Sequence, residues 1–353
     1  MFQPPRCPNR RCRQHRRPQP LFFRRHGSYR PRCRAHPVPR FVCRTCGRGF
    51  SRQTFRADYH DHRPDLNARL FRSIASGVGL RQTSRNLGLS LSCTQLKFRK
   101  IARHLRRLDL NLRGPLPAGC SLQFDELETF EGRRNTRPLS VPILIEKQTR
   151  YVLWAESAPI RPRGRKTKAR REAIRKEERR YGPRRDLSLR SVRRTLQRGV
   201  DVCNGLGRVE LFTDEKTIYP GLARELFGEE RLVHHRTSSK RPRTTWNPLF
   251  PINHTEAMAR DLLGRLRRES WLVSDRRRYL DLGLALWMAW RNYVRRRFNY
   301  DHESPAQMLG FVDRRMTETQ LLSWRQDWGR RSVHPLARGT ESVARWAARR
   351  RAA

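Results

Sequence analysis

Carboxylates are the scarce ionisable groups of this chain: 32 Asp and Glu stand against 79 Lys and Arg, for a formal net charge of +47 over 353 residues. That imbalance excludes a cationic partner and leaves a polyanion, with nucleic acid first and an anionic membrane surface second. Lysine is scarce as well, so nearly all the positive charge is arginine, whose planar guanidinium forks onto phosphate better than an ammonium does. Long apolar runs are missing. The longest near-apolar stretch, Tyr279 to Trp290, contains Asp281 and is too short to span a bilayer, which argues against a membrane protein. The N-terminus lacks the apolar core of a signal peptide. An intracellular, reducing setting is therefore expected, where paired members of the 8 cysteines serve as metal ligands rather than as a disulfide set. Hydrophobic residues make up only 36% of the chain, so one sizeable core with smaller modules around it is the expected plan.

Four blocks separate along the chain. Residues 1–56 are rich in Cys, Arg and Pro with few aliphatics. Residues 60–112 carry helical periodicity, and Arg113-Gly-Pro-Leu-Pro-Ala-Gly119 reads as a linker, because prolines and glycines cannot continue a helix. Residues 120–300 alternate strand and helix patterns, with strands expected at Ser121–Phe130, Leu139–Glu146, Arg150–Ser157, Val209–Thr213 and Arg231–His235. Helices are expected at Ala169–Arg180 and Ser188–Arg198, within a basic insertion over 157–200, and then at Leu222–Phe227, Asn253–Glu269 and Ser274–Arg297. This order predicts an α/β domain with a mixed sheet. Residues 301–353 read as a basic C-terminal tail.

Cys7 and Cys12, with Cys43 and Cys46, form two close pairs joined by a basic excursion. Each pair fits the spacing with which two thiolates of one turn grip a tetrahedral zinc, and Gly47 permits the tight turn after the second. Such a site contributes about 10–16 kcal/mol to a small module and would replace the missing apolar core. Phe22, Phe23, Tyr29, Phe41 and Phe50 could pack beneath it, and Cys33, His15 and His36 read as bystanders. Further on, Leu66, Leu70 and Ile74 keep helical spacing, a turn falls at Gly88, and Ser90 caps a helix from Leu91 to Leu108. That pattern predicts a helix-turn-helix whose second helix shows Gln95, Lys97, Arg99, Lys100 and Arg103 to DNA. The bland alternative is a small helical bundle with a solvated basic face.

Against the arginine background, three acids need a reason. Asp125 lies mid-strand in Leu-Gln-Phe-Asp-Glu-Leu, Asp214 ends the run Val-Glu-Leu-Phe-Thr-Asp, and Glu256 follows Ile-Asn-His-Thr at the head of a helix. Converging carboxylates repel, by roughly 4 kcal/mol at 4 Å and an effective dielectric near 20. Divalent cations must then neutralise them, and hard oxygen ligands select Mg²⁺ or Mn²⁺, as in two-metal phosphoryl transfer. Glu126 is expected on the face opposite Asp125, and Glu128 on the same face but further along.

With these residues in place, the chain resembles the bacterial insertion-sequence transposases of the DDE type, over most of residues 1–310. The carriers are the two cysteine pairs, the Leu80–Ser90 turn, the segments around Asp125 and Asp214, Asn253-His-Thr-Glu256, and Leu286-Trp-Met-Ala-Trp-Arg-Asn-Tyr293. The resemblance implies a zinc ribbon, a helix-turn-helix and an RNase H-like catalytic domain with Asp125, Asp214 and Glu256 as catalytic D, D and E. It further implies Mg²⁺-dependent cleavage and transfer of DNA strands, element ends and target DNA as partners, a homo-oligomer on DNA, and a cytoplasmic, nucleoid-associated location. The sequence departs from that pattern in its long arginine-rich 157–200 stretch and in His254 beside the glutamate. A non-catalytic DNA binder and an RNase H-like nuclease are the alternatives.

Overall fold

A computed structural model of the chain describes residues 4–33, 35–267 and 272–325. The N-terminal module consists of one helical turn, α1 (Arg13–Arg16), and three antiparallel strands, β1 (Phe23–Tyr29), β2 (Val38–Cys43) and β3 (Gly49–Ser51). Its interior is small, made of Cys7, Cys12, Cys43 and a group of phenylalanines, Phe22, Phe41, Phe50 and Phe55. Tyr29, expected among them, is exposed, and Phe55 takes the place.

Three helices follow: α2 (Asn67–Ala75), α3 (Leu80–Asn86) and α4 (Leu91–Leu112). Gly88 turns the chain between the last two at φ +60°, a region open to glycine, and the Ser90 hydroxyl accepts the Cys93 N–H at 3.2 Å as the cap of α4. Beyond its first turns α4 becomes a core helix. Phe98, Ile101, Leu105 and Leu108 bury one stripe in the same apolar cluster as the sheet. The expected linker 113–119 is likewise packed, with Leu116 buried and its N–H bonded to the Val202 carbonyl at 2.8 Å.

The main sheet is mixed. β4 (Ser121–Phe130), β5 (Pro138–Glu146) and β6 (Val152–Ala155) form an antiparallel meander, with the short β7 (Ala158–Pro159) also on β5. After α5 (Lys168–Tyr181) and α6 (Ser188–Val202), β8 (Val209–Asp214) returns parallel to β4. Then α7 (Ile218–Phe227) leads to β9 (Leu232–Thr237), parallel to β8, giving the order β6-β5-β4-β8-β9. Side chains alternate between two cores. Leu122, Phe124, Leu144 and Leu211 meet α6 and α7 on one face. Leu127, Ile143 and Ile145 meet α8 (Phe250–Leu262) and α9 (Arg277–Ala289) on the other. The chain continues α9 as a π-helical turn over Trp290–Val294, where Asn292 bonds both the N–H and the C=O of Val152 at 2.8 and 2.9 Å. Its amide thereby occupies hydrogen-bonding groups of the short strand β6.

Two expectations change at the ends. Of the basic insertion, only α5 is a surface element with no buried residue, whereas α6 inserts Val192 and Leu196 into the core. Residues 301–325 are no tail: α10 (Pro305–Met308) and α11 (Glu318–Ser323) bring Leu309, Val312, Leu321 and Trp324 into the main core. Residues 326–353, also expected as tail, and Glu269 lie outside the described residues.

Candidate active site and metal centre

The parallel pairing of β4 with β8 aligns Ser121 with Glu210, Leu122 with Leu211 and Gln123 with Phe212. Two residues further on, the same register brings Asp125 level with Asp214, on the same face, where β8 ends. Glu256 sits in the second turn of α8, which covers that face. All three line one cavity of about 760 Å³ that also takes in Asn253. Arginines line it as well: Arg134, Arg161, Arg163, Arg170, Arg241, Arg243 and Arg260. Arg170 is braced by the carbonyl oxygens of Asn135, Arg163 and Arg165 at 3.0–3.2 Å.

The electrostatics follow from crowding. Burial, reinforced by the nearby Asp214, pushes the Asp125 carboxyl up to about 6, against the pull of its hydrogen bond from the Glu126 N–H. Burial and Asp125 push Glu256 well above the ordinary glutamate range, with Arg260 and Arg243 opposing. Its Oε1 is sealed from solvent and has no hydrogen-bond partner among the described residues. A carboxylate oxygen orphaned beside two other acids suits a cation. The three carboxylates do not close into one shell, however. Among the described residues, the four cysteines alone form a group of three or more His, Cys, Asp and Glu whose ligand atoms all lie within 4.8 Å.

Strand alternation sorts the neighbouring acids, but not both as expected: Glu128, three residues from Asp125 in β4, falls on the face of Glu126 and not on that of Asp125. Glu126 points to the opposite face, where Lys216, the Ser140 hydroxyl at 2.6 Å and the Tyr219 hydroxyl at 2.7 Å surround it. In spite of burial those partners hold it below the usual range. Glu128 is exposed and 3.8 Å from Arg163. His254 is a structural residue: its Nδ1 accepts from Arg150 at 2.8 Å, and burial with that guanidinium pulls it down to about 4, so it is neutral.

Sequence reasoning missed Gln123. Fully buried two residues before Asp125, it accepts the Ile252 N–H at 2.9 Å and donates to the Pro248 carbonyl at 2.6 Å. It therefore fixes the first turn of α8 to the strand that carries Asp125. A polar residue alternating in phase with a site acid was the available signal.

In the N-terminal module the expected cysteines do meet. Cys7 and Cys46 sulfurs are 3.6 Å apart, and Cys12 and Cys43 are 3.9 Å apart. Tetrahedral ligation at about 2.3 Å places thiolates about 3.8 Å apart, so these four residues could hold a zinc ion. Gly47, at φ +68°, closes the second knuckle by donating to the Cys43 carbonyl at 2.9 Å. Burial raises the Cys7 and Cys12 thiols, whereas the Arg48 backbone and the other cysteines outweigh burial at Cys46 and pull it to about 7. His15 bonds the Cys7 carbonyl at 2.7 Å and Cys33 the Asp61 carbonyl at 3.7 Å, so neither is a ligand.

The expected DNA-facing row on α4 needs correction. Lys97 is buried, with its ammonium on Asp61, the Asn67 Oδ1 at 2.9 Å and the Arg63 carbonyl at 2.7 Å. Lys100 donates to the Tyr59 carbonyl at 2.5 Å. Gln95 and Arg99 are half-buried, and Arg103 alone of the five is exposed. The helical period places position 97 beside Thr94, Phe98 and Ile101 on the inner face, where Asp61 neutralises it. No helix among the described residues is long and apolar enough to cross a membrane. No known protein family and no curated relative matches the sequence.

Proposed function

We propose that this chain is a DDE-type transposase, cutting and joining DNA at an RNase H-like centre formed by Asp125, Asp214 and Glu256. The observation that carries this is their convergence: two aspartates level on adjacent parallel strands, and a glutamate from the covering helix, on one arginine-rimmed cavity. The strand order β6-β5-β4-β8-β9, with an antiparallel β5, is that expected of an RNase H-like sheet. Asp125, Asp214 and Glu256 would hold Mg²⁺ or Mn²⁺, which when bound supplies an activated oxygen nucleophile and neutralises charge on the leaving oxygen. The arginines lining the cavity hold the DNA backbone over the acids and offset its repulsion from them. Gln123 keeps Glu256 in line by fixing the start of α8. In the first reaction, water attacks phosphorus as the P–O3′ bond breaks, and the 3′-oxygen leaves with the bonding pair and gains a proton. In the second, that 3′-hydroxyl attacks a target phosphorus as the target's own P–O3′ bond breaks; the attacking hydroxyl gives up its proton, and the displaced target 3′-oxygen leaves with the bonding pair and gains one.

Incubation with Mn²⁺ and DNA carrying the element's ends should yield nicked and joined strands, and Asp125→Asn, Asp214→Asn and Glu256→Gln should each abolish both. Full activity in any of them would sink the assignment. The spread of the three carboxylates beyond 4.8 Å favours a second reading, a DNA-binding relative that performs no chemistry. Binding of end DNA without any Mn²⁺-dependent product would select it.

A further inference from the structure

Between β9 and α8, the loop 238–249 contributes Ser238, Ser239, Arg241, Arg243, Asn247 and Leu249 to the lining of the acid-bearing cavity. Hydrogen bonds fix the shape of this loop. Buried Asn247 donates from its side chain to the Pro242 carbonyl at 2.9 Å and accepts the Leu249 N–H at 2.9 Å. Its own N–H reaches the Thr244 carbonyl at 3.1 Å and closes a turn over 244–247. Pro248, the next residue, is tied to β4 by Gln123. Trp246 sits in that turn, directly before Asn247, and is 87% exposed. The other described tryptophans are buried, as Trp154, Trp287 and Trp324 are, or half-buried, as Trp290 is. Among the described residues no ring or cation stacks on Trp246. An ordered turn that holds an indole in water forgoes the burial this side chain usually gains.

We propose that Trp246 is a stacking platform for one unpaired base of the DNA strand whose phosphate lies over Asp125, Asp214 and Glu256. This rests on the proposed DNA-cutting function and goes beyond it, by naming a positioning residue and by requiring one nucleotide near the cleavage point to leave the duplex stack. The surroundings select a base over a protein. Among the described residues of the loop, Trp246 is the one large apolar side chain that is exposed, so no patch of the size a protein contact buries is present. Lys240, Arg241 and Arg243, all exposed, instead surround it in the chain with positive charge. A π face among cations suits single-stranded nucleic acid, with the cations on phosphates and the ring on a base. A paired base is stacked on both faces and offers neither to an indole, so the occupant is unpaired. The distances are compatible. Consecutive Cα atoms are about 3.8 Å apart, which sets Trp246 beside the cavity-lining Asn247. A stacked strand advances about 3.4 Å per nucleotide, so a base on Trp246 lies within a few nucleotides of a phosphate in the cavity. Holding that base fixes the register of the strand over the acids.

The experiment compares affinity for a short paired duplex with affinity for the same duplex carrying one bulged thymidine. Fluorescence anisotropy reads both, with the zinc-loaded full chain and without Mg²⁺ or Mn²⁺. Stacking of a base on an aromatic side chain changes affinity by roughly 5- to 150-fold, and wild type should prefer the bulged probe by a factor in that range. Trp246→Ala and Trp246→Leu should abolish the preference, the latter because leucine keeps apolar bulk without a π face. Trp246→Phe and Trp246→Tyr should retain most of it. A variant that merely loosened the loop would weaken both probes and leave their ratio intact. That result, or a wild type that binds the two probes equally, would overturn the platform. An altered oligomeric state in Trp246→Ala with an intact ratio would assign the indole to a protein contact and overturn it as well. Cleavage does not enter the measurement. A bulge preference carried by Trp246, together with no Mn²⁺-dependent product from end DNA, would therefore uphold the platform and remove the transposase reading. Failure of the wild type to bind either probe would refute DNA binding itself, and the platform with it.

Discussion

Asp125 shows how a single side chain can carry the conflict between stability and function. Its folded carboxyl titrates at about 6, through burial and then Asp214, whereas an unfolded aspartate titrates near 3.9. Between these values the folded chain binds the proton that the unfolded chain has lost. Folding is therefore favoured at low pH, and stability declines as pH rises from about 4 through 6, then stays at the lower level. At neutral pH the ionised group costs roughly 1–3 kcal/mol, the range allowing for its partial exposure. Asp125→Asn should therefore raise the melting temperature of metal-free protein at pH 7.5 and have little effect at pH 4, as calorimetry in a chelating buffer would register. A lower melting temperature at pH 7.5 would contradict the crowding argument. Lys97 is the opposite case, a charge that reads as a DNA contact but belongs to the interior. Lys97→Met should cost about 3–5 kcal/mol, because it leaves Asp61 buried without its cation. Urea denaturation should show that loss while duplex affinity, measured well below the melting point, stays unchanged. Position 97 was misread because helical period and charge disagreed, and its neutralising acid lies 36 residues earlier in the chain.

At the scale of elements, the strand bearing Asp125 was legible to the residue, since apolar alternation and turn residues bound it on both sides. The helices α7 and α8 were each expected to begin later than they do. Both contain a proline in the first turn, Pro220 and Pro251, and a proline reads as a stop when scanned from sequence. In the first turn its missing N–H has no partner to lose, so both helices start upstream of it. The shift matters for α8, because Glu256 moves from its first turn to its second and needs something to set its height over the sheet. Gln123 does this with two hydrogen bonds to the backbone at Pro248 and Ile252. No local pattern reveals such a bond, since its partners lie more than 120 residues apart. Gln123→Leu keeps the volume and strands two buried backbone groups, at a cost of about 1–3 kcal/mol each. The expected outcome is a fall in strand-cleavage turnover of tenfold or more with DNA affinity retained. Equal loss of affinity and turnover would instead point to general unfolding of the α8 face.

Over the whole molecule, the chain does not divide where its composition does. The break near residues 113–119 is a change in sequence character, yet one apolar cluster runs from Leu70 in α2 through the sheet to Trp324. The helices α2–α4 and the sheet thus share a core, and α4 belongs to both. The cysteine module is the part that stands apart, with its own cluster of phenylalanines and thiols and too little apolar surface to hold itself closed. Its folding free energy should come largely from metal ligation, about 10–16 kcal/mol in modules of this size. Removing zinc should therefore unfold residues 1–56 and spare the rest. Limited proteolysis after chelation should cut within the arginine-rich first 56 residues and leave a resistant fragment reaching past Trp324, with the main thermal transition little changed. A transition that collapses as a whole would mean that the knuckle also supports α4. Truncation after Tyr300, where composition alone would end the domain, should do what chelation does not: it strips Leu309, Val312, Leu321 and Trp324 from the shared core. Four large apolar side chains at about 1.5–3 kcal/mol each amount to roughly 6–12 kcal/mol, comparable with the whole stability of a domain. The truncated chain should therefore fail to give a cooperative transition even with zinc bound.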